Sequence, residues 1–104
     1  MSSKKPDREQ PHSRMKPVAA MSWYDREQWT KLKAIAEDGE RLDVSFEAWL
    51  AGAERAEAEL ARRDTVVRRI FINVDEFVAW CRANNLKIIS TSRAKYTAEK
   101  ARRQ

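Results

Sequence analysis

The chain lacks most of the residues on which disulfide scaffolds and phosphate-binding loops are built. Its one cysteine, Cys81, can close no intrachain disulfide and complete no cysteine-rich zinc site. Its two glycines, Gly39 and Gly52, are isolated, which excludes a glycine-rich phosphate loop. No apolar run approaches the roughly 18 residues of a membrane-spanning helix, and no apolar stretch follows the basic start. We therefore expect a cytoplasmic protein that does not associate with membranes.

Charge is abundant in this sequence and is unevenly placed. Lys and Arg number 21, and Asp and Glu number 16, so the formal net charge of the 104 residues is +5. Residues 23–64 carry a net charge of −4, whereas residues 65–104 carry +6. A chain of this length forms one small domain. Its basic half is suited to contact with phosphates or with an acidic protein.

The first 22 residues differ in composition from the rest of the chain. They hold all three prolines, no aromatic residue and the only histidine, His12, and their net charge is +3. Because such a segment has little apolar area to bury, it cannot offset the entropy that it would lose on ordering. We expect residues 1–22 to be a disordered basic N-terminal arm and residues 23–104 to form a single globular domain.

The spacing of apolar residues predicts two helices in the first half of the domain. Ser22 followed by Asp25 resembles a capping box that opens the first helix. An alanine-rich stretch follows, and Asp43 or Ser45 is expected to cap it. Gly52 inside this second helix is unfavourable for helix formation and suggests the close approach of another helix.

Two further helices are predicted in the second half. Asn73 with Glu76 resembles another capping box, and the pair Asn84-Asn85 is suited to a left-handed stop. A last helix occupies the basic C-terminal residues. The caps that the sequence offers it are Ser90, Thr91 and Ser92.

In the segment from Val66 to Ile72 the apolar residues no longer recur with helical spacing, and this pattern predicts a strand. It is rich in β-branched residues, and both of its faces are apolar. A lone strand would leave its backbone groups unpaired, so this strand needs a partner. The two expected partners are residues 86–89, which would pair in parallel, and a copy of the strand in a second chain, which would pair in antiparallel. A strictly monomeric chain would leave residues 86–89 or the arm as the partner, and the remaining alternative is that the segment is irregular.

These elements define the expected fold. The sequence predicts an α+β class: a mainly helical small domain of about four helices with one central short strand, or with a minimal two-stranded sheet. Monomer and homodimer both remain open, because the two pairings of the strand differ in oligomeric state.

Four short motifs resemble a family of short uncharacterised bacterial proteins. The resemblance covers the chain from about residue 23 onward, and its most specific part is residues 74–81. Because no activity is established for the family, the resemblance implies a bacterial, cytosolic, globular protein and no particular chemistry. The motifs are Trp23-Tyr24-x4-Trp29, Ser45-Phe46-Glu47-Ala48-Trp49-Leu50, Asp75-x-Phe77-x2-Trp80-Cys81 and Ala94-x-Tyr96.

No set of residues with catalytic or metal-binding spacing is apparent. Cys81 has no histidine within the folded part to generate its thiolate, and it shares the inner face of its helix with Phe77 and Val78, so we interpret it as a core residue. Asp75 and Glu76 occupy the first turn of a helix, where the helix dipole favours acids. We expect no enzymatic activity, no catalytic or metal site and no cofactor.

Two kinds of side chain remain as candidate contacts. Trp23 and Trp80 lie at the edges of their apolar stripes and are candidates for an exposed aromatic contact. Basic residues of the C-terminal half are candidates for phosphate contacts. They are Arg68, Arg69, Arg82, Arg93, Lys95, Arg102 and Arg103.

The function expected from these features is that of a small non-enzymatic bacterial protein-interaction domain with an unknown protein partner. The alternative is a nucleic-acid-associated protein that uses the basic C-terminal half and the arm. No helix-turn-helix, zinc-finger or RNA-recognition motif accompanies the basic residues, which favours the first hypothesis.

Overall fold

A two-stranded parallel sheet joins the start of the folded chain to its middle. The computed structural model describes residues 16–103. Strand β1 (Val18–Trp23) pairs in parallel with strand β2 (Val66–Phe71), so that Val18 lies opposite Val66 and Trp23 lies opposite Phe71. Parallel pairing requires a crossover connection, and two helices between the strands provide it.

Within residues 16–103, four α-helices surround this sheet. Two form the crossover between the strands, with a single 3-10 turn at Gly39–Arg41 between them, and two follow β2. The predicted α+β class is thereby confirmed. Among residues 16–103, no helix has the length and apolar character needed to cross a membrane. The helices are α1 (Arg26–Ile35), α2 (Phe46–Arg62), α3 (Val74–Ala83) and α4 (Ser90–Arg102).

Three of the predicted helix boundaries are confirmed, two by side-chain hydrogen bonds and one by a backbone angle. The Ser45 side chain accepts the N–H of Ala48 at the start of α2, over 3.1 Å. Asn73 accepts the N–H of Glu76 at the start of α3, over 3.0 Å. Asn85 follows α3 with a φ of 55°, the left-handed conformation that ends many helices.

The cap predicted for α1 is wrong. Asp25 itself is the N-cap, and its carboxylate accepts the N–H of Gln28 over 2.8 Å. Ser22 cannot serve in this role because it is the fifth residue of β1. The helix therefore begins three residues later than a cap at Ser22 would place it.

The arm expected over residues 1–22 is wrong where it overlaps β1. Val18 to Ser22 are ordered because β2 needs a backbone partner, and this short segment provides it despite its small apolar area. The pairing begins with the N–H of Val66 bonded to the carbonyl of Pro17 over 2.9 Å. Residues 1–15 of the expected arm, including His12, lie outside the described residues.

The partner strand proposed at residues 86–89 is also wrong. The N–H of Ile88 donates to the Glu37 carboxylate over 2.9 Å, and the carbonyl of Ile88 accepts the N–H of Glu37 over 2.8 Å. The turn after α1 thus satisfies this segment's backbone, so it has no need of a strand partner.

The core lies where the sheet meets helices on both of its faces. Adjacent strand residues point to opposite faces. Ser22 contacts Thr97 of α4 through a 2.6 Å hydroxyl–hydroxyl hydrogen bond, whereas Trp23 packs edge-on against Trp49 of α2 with ring centroids 5.4 Å apart. The largest fully buried side chains are those of Phe77, Leu32, Ile70, Val74 and Cys81. The interpretation of Cys81 as a core residue is confirmed.

Candidate functional site

An open groove of about 720 Å³ lies between α1 and α3. Charged side chains from both helices stand at its rim, and its floor is apolar. Because exposed apolar concavities on small domains are commonly used for binding, this groove is the candidate functional site. The apolar residues that line it are Ala34, Ile35, Val74, Val78, Ala79 and Ile88.

The local sequence explains why the groove is open and apolar. The N–H of Val74, the first residue of α3, donates to the side-chain oxygen of Gln28 on α1 over 2.7 Å. This bond holds the two helices together at one end. Val78 lies one turn further along α3, and Ile35 ends α1 with 42% of its surface exposed. Apolar side chains of both helices therefore face an uncovered space.

The two sides of the rim differ in charge. On one side Lys31 pairs with Asp75 over 3.1 Å and lies 3.8 Å from Glu27. The hydrogen bond to Asp75 raises the pKa of Lys31, which stays protonated at neutral pH. On the other side Arg82 lines the groove, and within residues 16–103 no carboxylate lies within 4.0 Å of its guanidinium group. The rim thus presents a neutralised pair and a cation that is available to a ligand.

Arg69, one of the predicted phosphate contacts, is instead engaged within the fold. Its guanidinium group donates two hydrogen bonds of 2.8 Å to the Glu57 carboxylate on α2. It also lies over the Trp23 ring, 3.9 Å from the ring centroid. The hydrogen bonds from Arg69 lower the pKa of Glu57, so the pair is charged at neutral pH. A phosphate would have to compete with these contacts.

Arg93 is engaged in the same way. It donates to both oxygens of Asp38, over 2.9 and 3.0 Å, and only 13% of its side chain is exposed. Asp38 in turn accepts the N–H of Ser90 over 3.0 Å. The three cap residues proposed for α4 are therefore not its cap: Ile89 precedes the helix without a side-chain cap, and Asp38 takes that role from a distant part of the chain.

The other predicted basic contacts lie on three separate elements. Arg68 is half-buried in β2, Arg82 lies on α3, and Lys95 and Arg102 are exposed on α4. Arg103 follows α4 and lies 3.8 Å from Glu99. Spacing by seven residues places Lys95 and Arg102 on one face of α4, whereas Arg69 lies on the other face of the sheet, over Trp23.

The aromatic candidates have different environments. Trp23 is 4% exposed, so the prediction that it forms an exposed contact is wrong. Because it lies in a strand and not in a helix, its side chain points into the interface with α2. Trp80 is half-buried and packs against Phe77 and Tyr96, with ring centroids 6.3 and 5.2 Å away.

The chemistry of the described side chains gives no sign of a metal centre. Within residues 16–103, no group of three or more His, Cys, Asp or Glu residues could hold a metal ion. The Cys81 thiol is fully buried, and burial raises its pKa. A thiol in that state is a poor nucleophile at neutral pH.

Sequence reasoning named Arg82 but missed the groove beside it. Val78 was assigned to the inner face of α3 together with Phe77 and Cys81, although it lines the groove. The available signal was the width of the apolar surface of α3. Val74, Val78 and Ala79 extend this surface beyond the stripe that one neighbouring helix covers.

Comparison of the chain with models of protein families, with curated proteins and with solved structures finds no match.

Proposed function

We propose that this protein is a small non-enzymatic interaction module that binds an amphipathic helix of a partner protein in the groove between α1 and α3. The observation that carries the proposal is an apolar groove of about 720 Å³ with Arg82 at its rim. Apolar side chains on one face of a helix fill such grooves at positions i, i+4 and i+7. The motif resemblance and the scarcity of cysteine support a bacterial, cytoplasmic setting for this activity.

The geometry of α3 sets the length of the proposed partner. Its ten residues span about 15 Å, so two to three turns of a partner helix would cover the groove. Because Lys31 is already paired with Asp75, the charge left for recognition is that of Arg82. We therefore expect a partner helix that is apolar on one face and carries an acidic residue at the end near Arg82.

The structure favours this proposal over nucleic-acid association. The alternative needs a continuous set of free basic side chains. Two of its central arginines, Arg69 and Arg93, each form two hydrogen bonds to a carboxylate of the same fold. Using either one for a phosphate would break an ion pair that stabilises the domain.

Titration with designed peptides, followed by NMR, tests the proposal. The probes are helical 14-residue peptides with leucines at positions i, i+4 and i+7 and either glutamate or lysine at the end that would lie near Arg82. We expect the glutamate peptide to shift the signals of groove residues and to bind more tightly than the lysine peptide. A double-stranded DNA of mixed sequence serves as the nucleic-acid probe.

Charge reversal at the rim provides the decisive comparison. Arg82→Glu should invert the preference, so that the lysine peptide binds more tightly. Val78→Asp should abolish binding of both peptides by placing a charge on the apolar floor. Lys95→Glu, on exposed α4, is the matched control and should change neither affinity. Shifts outside the groove, or DNA binding that Lys95→Glu weakens while neither peptide binds, would contradict the proposal.

A further inference from the structure

Strand β2 has a second edge that β1 does not use. The N–H groups of Val66 and Ile72 bond to the carbonyls of Pro17 and Trp23, which brackets the pairing with β1. In a parallel pair, every second residue directs both of its backbone groups at the neighbouring strand. Counting in steps of two from Val66 to Ile72 gives the residues whose backbone groups face β1. The alternate residues, Val67, Arg69 and Phe71, therefore direct their N–H and C=O groups away from β1.

Apolar side chains mark both ends of this free edge. Phe71 is 59% exposed and Val66 is 45% exposed, although both lie in a strand. In residues 16–103 no backbone–backbone hydrogen bond joins the outer groups of β2 to another segment. Unpaired edges with exposed apolar residues are ready templates for another strand.

We propose that this edge pairs in antiparallel with the same edge of a second copy of the chain, about a two-fold axis that passes beside Arg69. The pairing makes one sheet of four strands, with the two β2 strands at its centre. Centred there, it places Phe71 opposite Val67 of the second copy and Val66 opposite Ile72 of the second copy. Each exposed apolar side chain, Phe71 or Val66, thus gains an apolar neighbour from the second copy, although Val67 is half-buried and Ile72 is buried within its own copy.

Charge does not oppose this pairing. The two-fold axis places Arg69 opposite its own copy, and like charges directly opposite each other ordinarily destabilise a sheet. Here the Glu57 carboxylate neutralises each Arg69 through two hydrogen bonds of 2.8 Å. This register is therefore electrostatically acceptable.

The β1 edge is a weaker candidate for the same role. Its middle residues are Ala19, Ala20, Met21 and Ser22, so it offers less apolar area to a partner strand. A second copy also fits the β2 edge better than an unrelated strand, because the edge is complementary to itself. The β2 edge shares no residue with the groove between α1 and α3, so the result of testing one proposal does not decide the other.

Disulfide trapping tests the register. Residues 67 and 71 of opposite copies form a hydrogen-bonded pair, with Cα atoms about 5.5 Å apart, a distance that a disulfide spans. The double variant V67C/F71C should form a covalent dimer under mild oxidation. The single variants V67C and F71C are matched controls and should not, since each lacks its partner and Cys81 is fully buried.

Sedimentation of the full chain gives the second measurement. The unmodified chain should be dimeric, and Val67→Pro should raise the dimer dissociation constant by about tenfold or more, because one outward N–H is lost from each copy. A strictly monomeric mass at high concentration, or equal oxidative dimer yields from the double and single variants, would overturn the proposal. A chain that dimerises only after residues 1–15 are deleted would assign the edge to that segment instead.

Discussion

Asp38 and Arg93, 55 residues apart in the chain, form a two-point ion pair with N–O distances of 2.9 and 3.0 Å. Asp38 also accepts the backbone N–H of Ser90. One carboxylate thereby caps α4 and joins the turn after α1 to it. Because Asp38 and Arg93 are only 16% and 13% exposed, water screens the pair less than it screens the ion pairs on the surface.

Replacing Asp38 tests how much this ion pair contributes to the free energy of unfolding. Asp38→Asn leaves the shape of the side chain and removes its charge, so Arg93 loses its ionic partner. We expect the free energy of unfolding to fall by about 2 kcal/mol, measured by urea denaturation at neutral pH. Asp75→Asn removes a carboxylate from an exposed ion pair and is the control, with a much smaller expected loss because water screens that pair. Equal losses in the two variants would show that burial adds nothing to the pair.

The same pair predicts a specific acid sensitivity. The hydrogen bonds from Arg93 hold the pKa of Asp38 below its usual range. A carboxyl whose pKa is lower in the folded state stabilises the protein above its unfolded pKa, and this contribution is lost as pH falls through the folded pKa. The free energy of unfolding should therefore drop below about pH 4. The drop should be shallower in Asp38→Asn, with Glu57 responsible for part of the remainder; parallel curves would contradict the assignment.

Removal of β1 should destabilise the domain. Deleting residues 1–20 takes away the first half of the strand that satisfies β2, so we expect the thermal midpoint to fall by several degrees. Deleting residues 1–15 leaves β1 intact, and the composition of that segment predicts little change. Thermal unfolding followed by circular dichroism compares the two. Equal midpoints in both deletions would mean that the first half of β1 contributes nothing to stability.

The sequence predicted the helices better than the sheet because helix signals are local. Ser45 and Asn73 act within one turn of chain, so their capping roles were readable. The pairing of Val18 with Val66 depends on a contact between residues far apart in sequence, and most side chains of β1 are small, so its composition predicts little buried apolar area. The Glu37 and Asp38 carboxylates likewise accept backbone N–H groups of residues 88 and 90, about 50 positions further along the chain. No local sequence pattern predicts such contacts.

The candidate site was predicted less well than the fold for the same reason. Basic residues were counted as free because the sequence does not show their partners. The structure pairs Arg69 with Glu57 of α2 and Arg93 with Asp38. Arg82 lines the groove, which is a feature that exists only once α1 and α3 are placed side by side.

Two proline substitutions in β2 should have opposite effects. Ile70 directs its N–H toward β1, so Ile70→Pro removes a hydrogen bond of the sheet and places a ring in the core, and should unfold the domain. Val67 directs its N–H away from β1, so Val67→Pro should keep the helical circular dichroism signal. A folded Ile70→Pro variant would contradict the pairing in the structure, whereas an unfolded Val67→Pro variant would contradict the assignment of the outer edge.

The two glycines should respond in opposite directions to substitution by alanine. Gly52 was expected to mark the approach of another helix, and this is wrong: a Cβ atom there would meet only the flexible end of the Arg55 side chain, at 3.8 Å. Gly52→Ala should therefore stabilise α2 by about 0.5–1 kcal/mol through helix propensity. Gly39 differs because its Cβ would lie 3.0 Å from the carbonyl oxygen of Lys33.

The Lys33 carbonyl that a Cβ atom at Gly39 would meet belongs to the backbone, so the turn after α1 must shift to make room for the added atom. Gly39→Ala should therefore lower the free energy of unfolding. The shift would also disturb the 2.9 Å hydrogen bond from the Lys33 ammonium group to the Gly39 carbonyl. Ala51→Gly, on the exposed face of α2, is the matched reverse substitution and should cost about what Gly52→Ala gains. Urea denaturation of all three variants measures the differences. If Gly52→Ala destabilises the chain while Ala51→Gly behaves as expected, something must pack against α2 at Gly52.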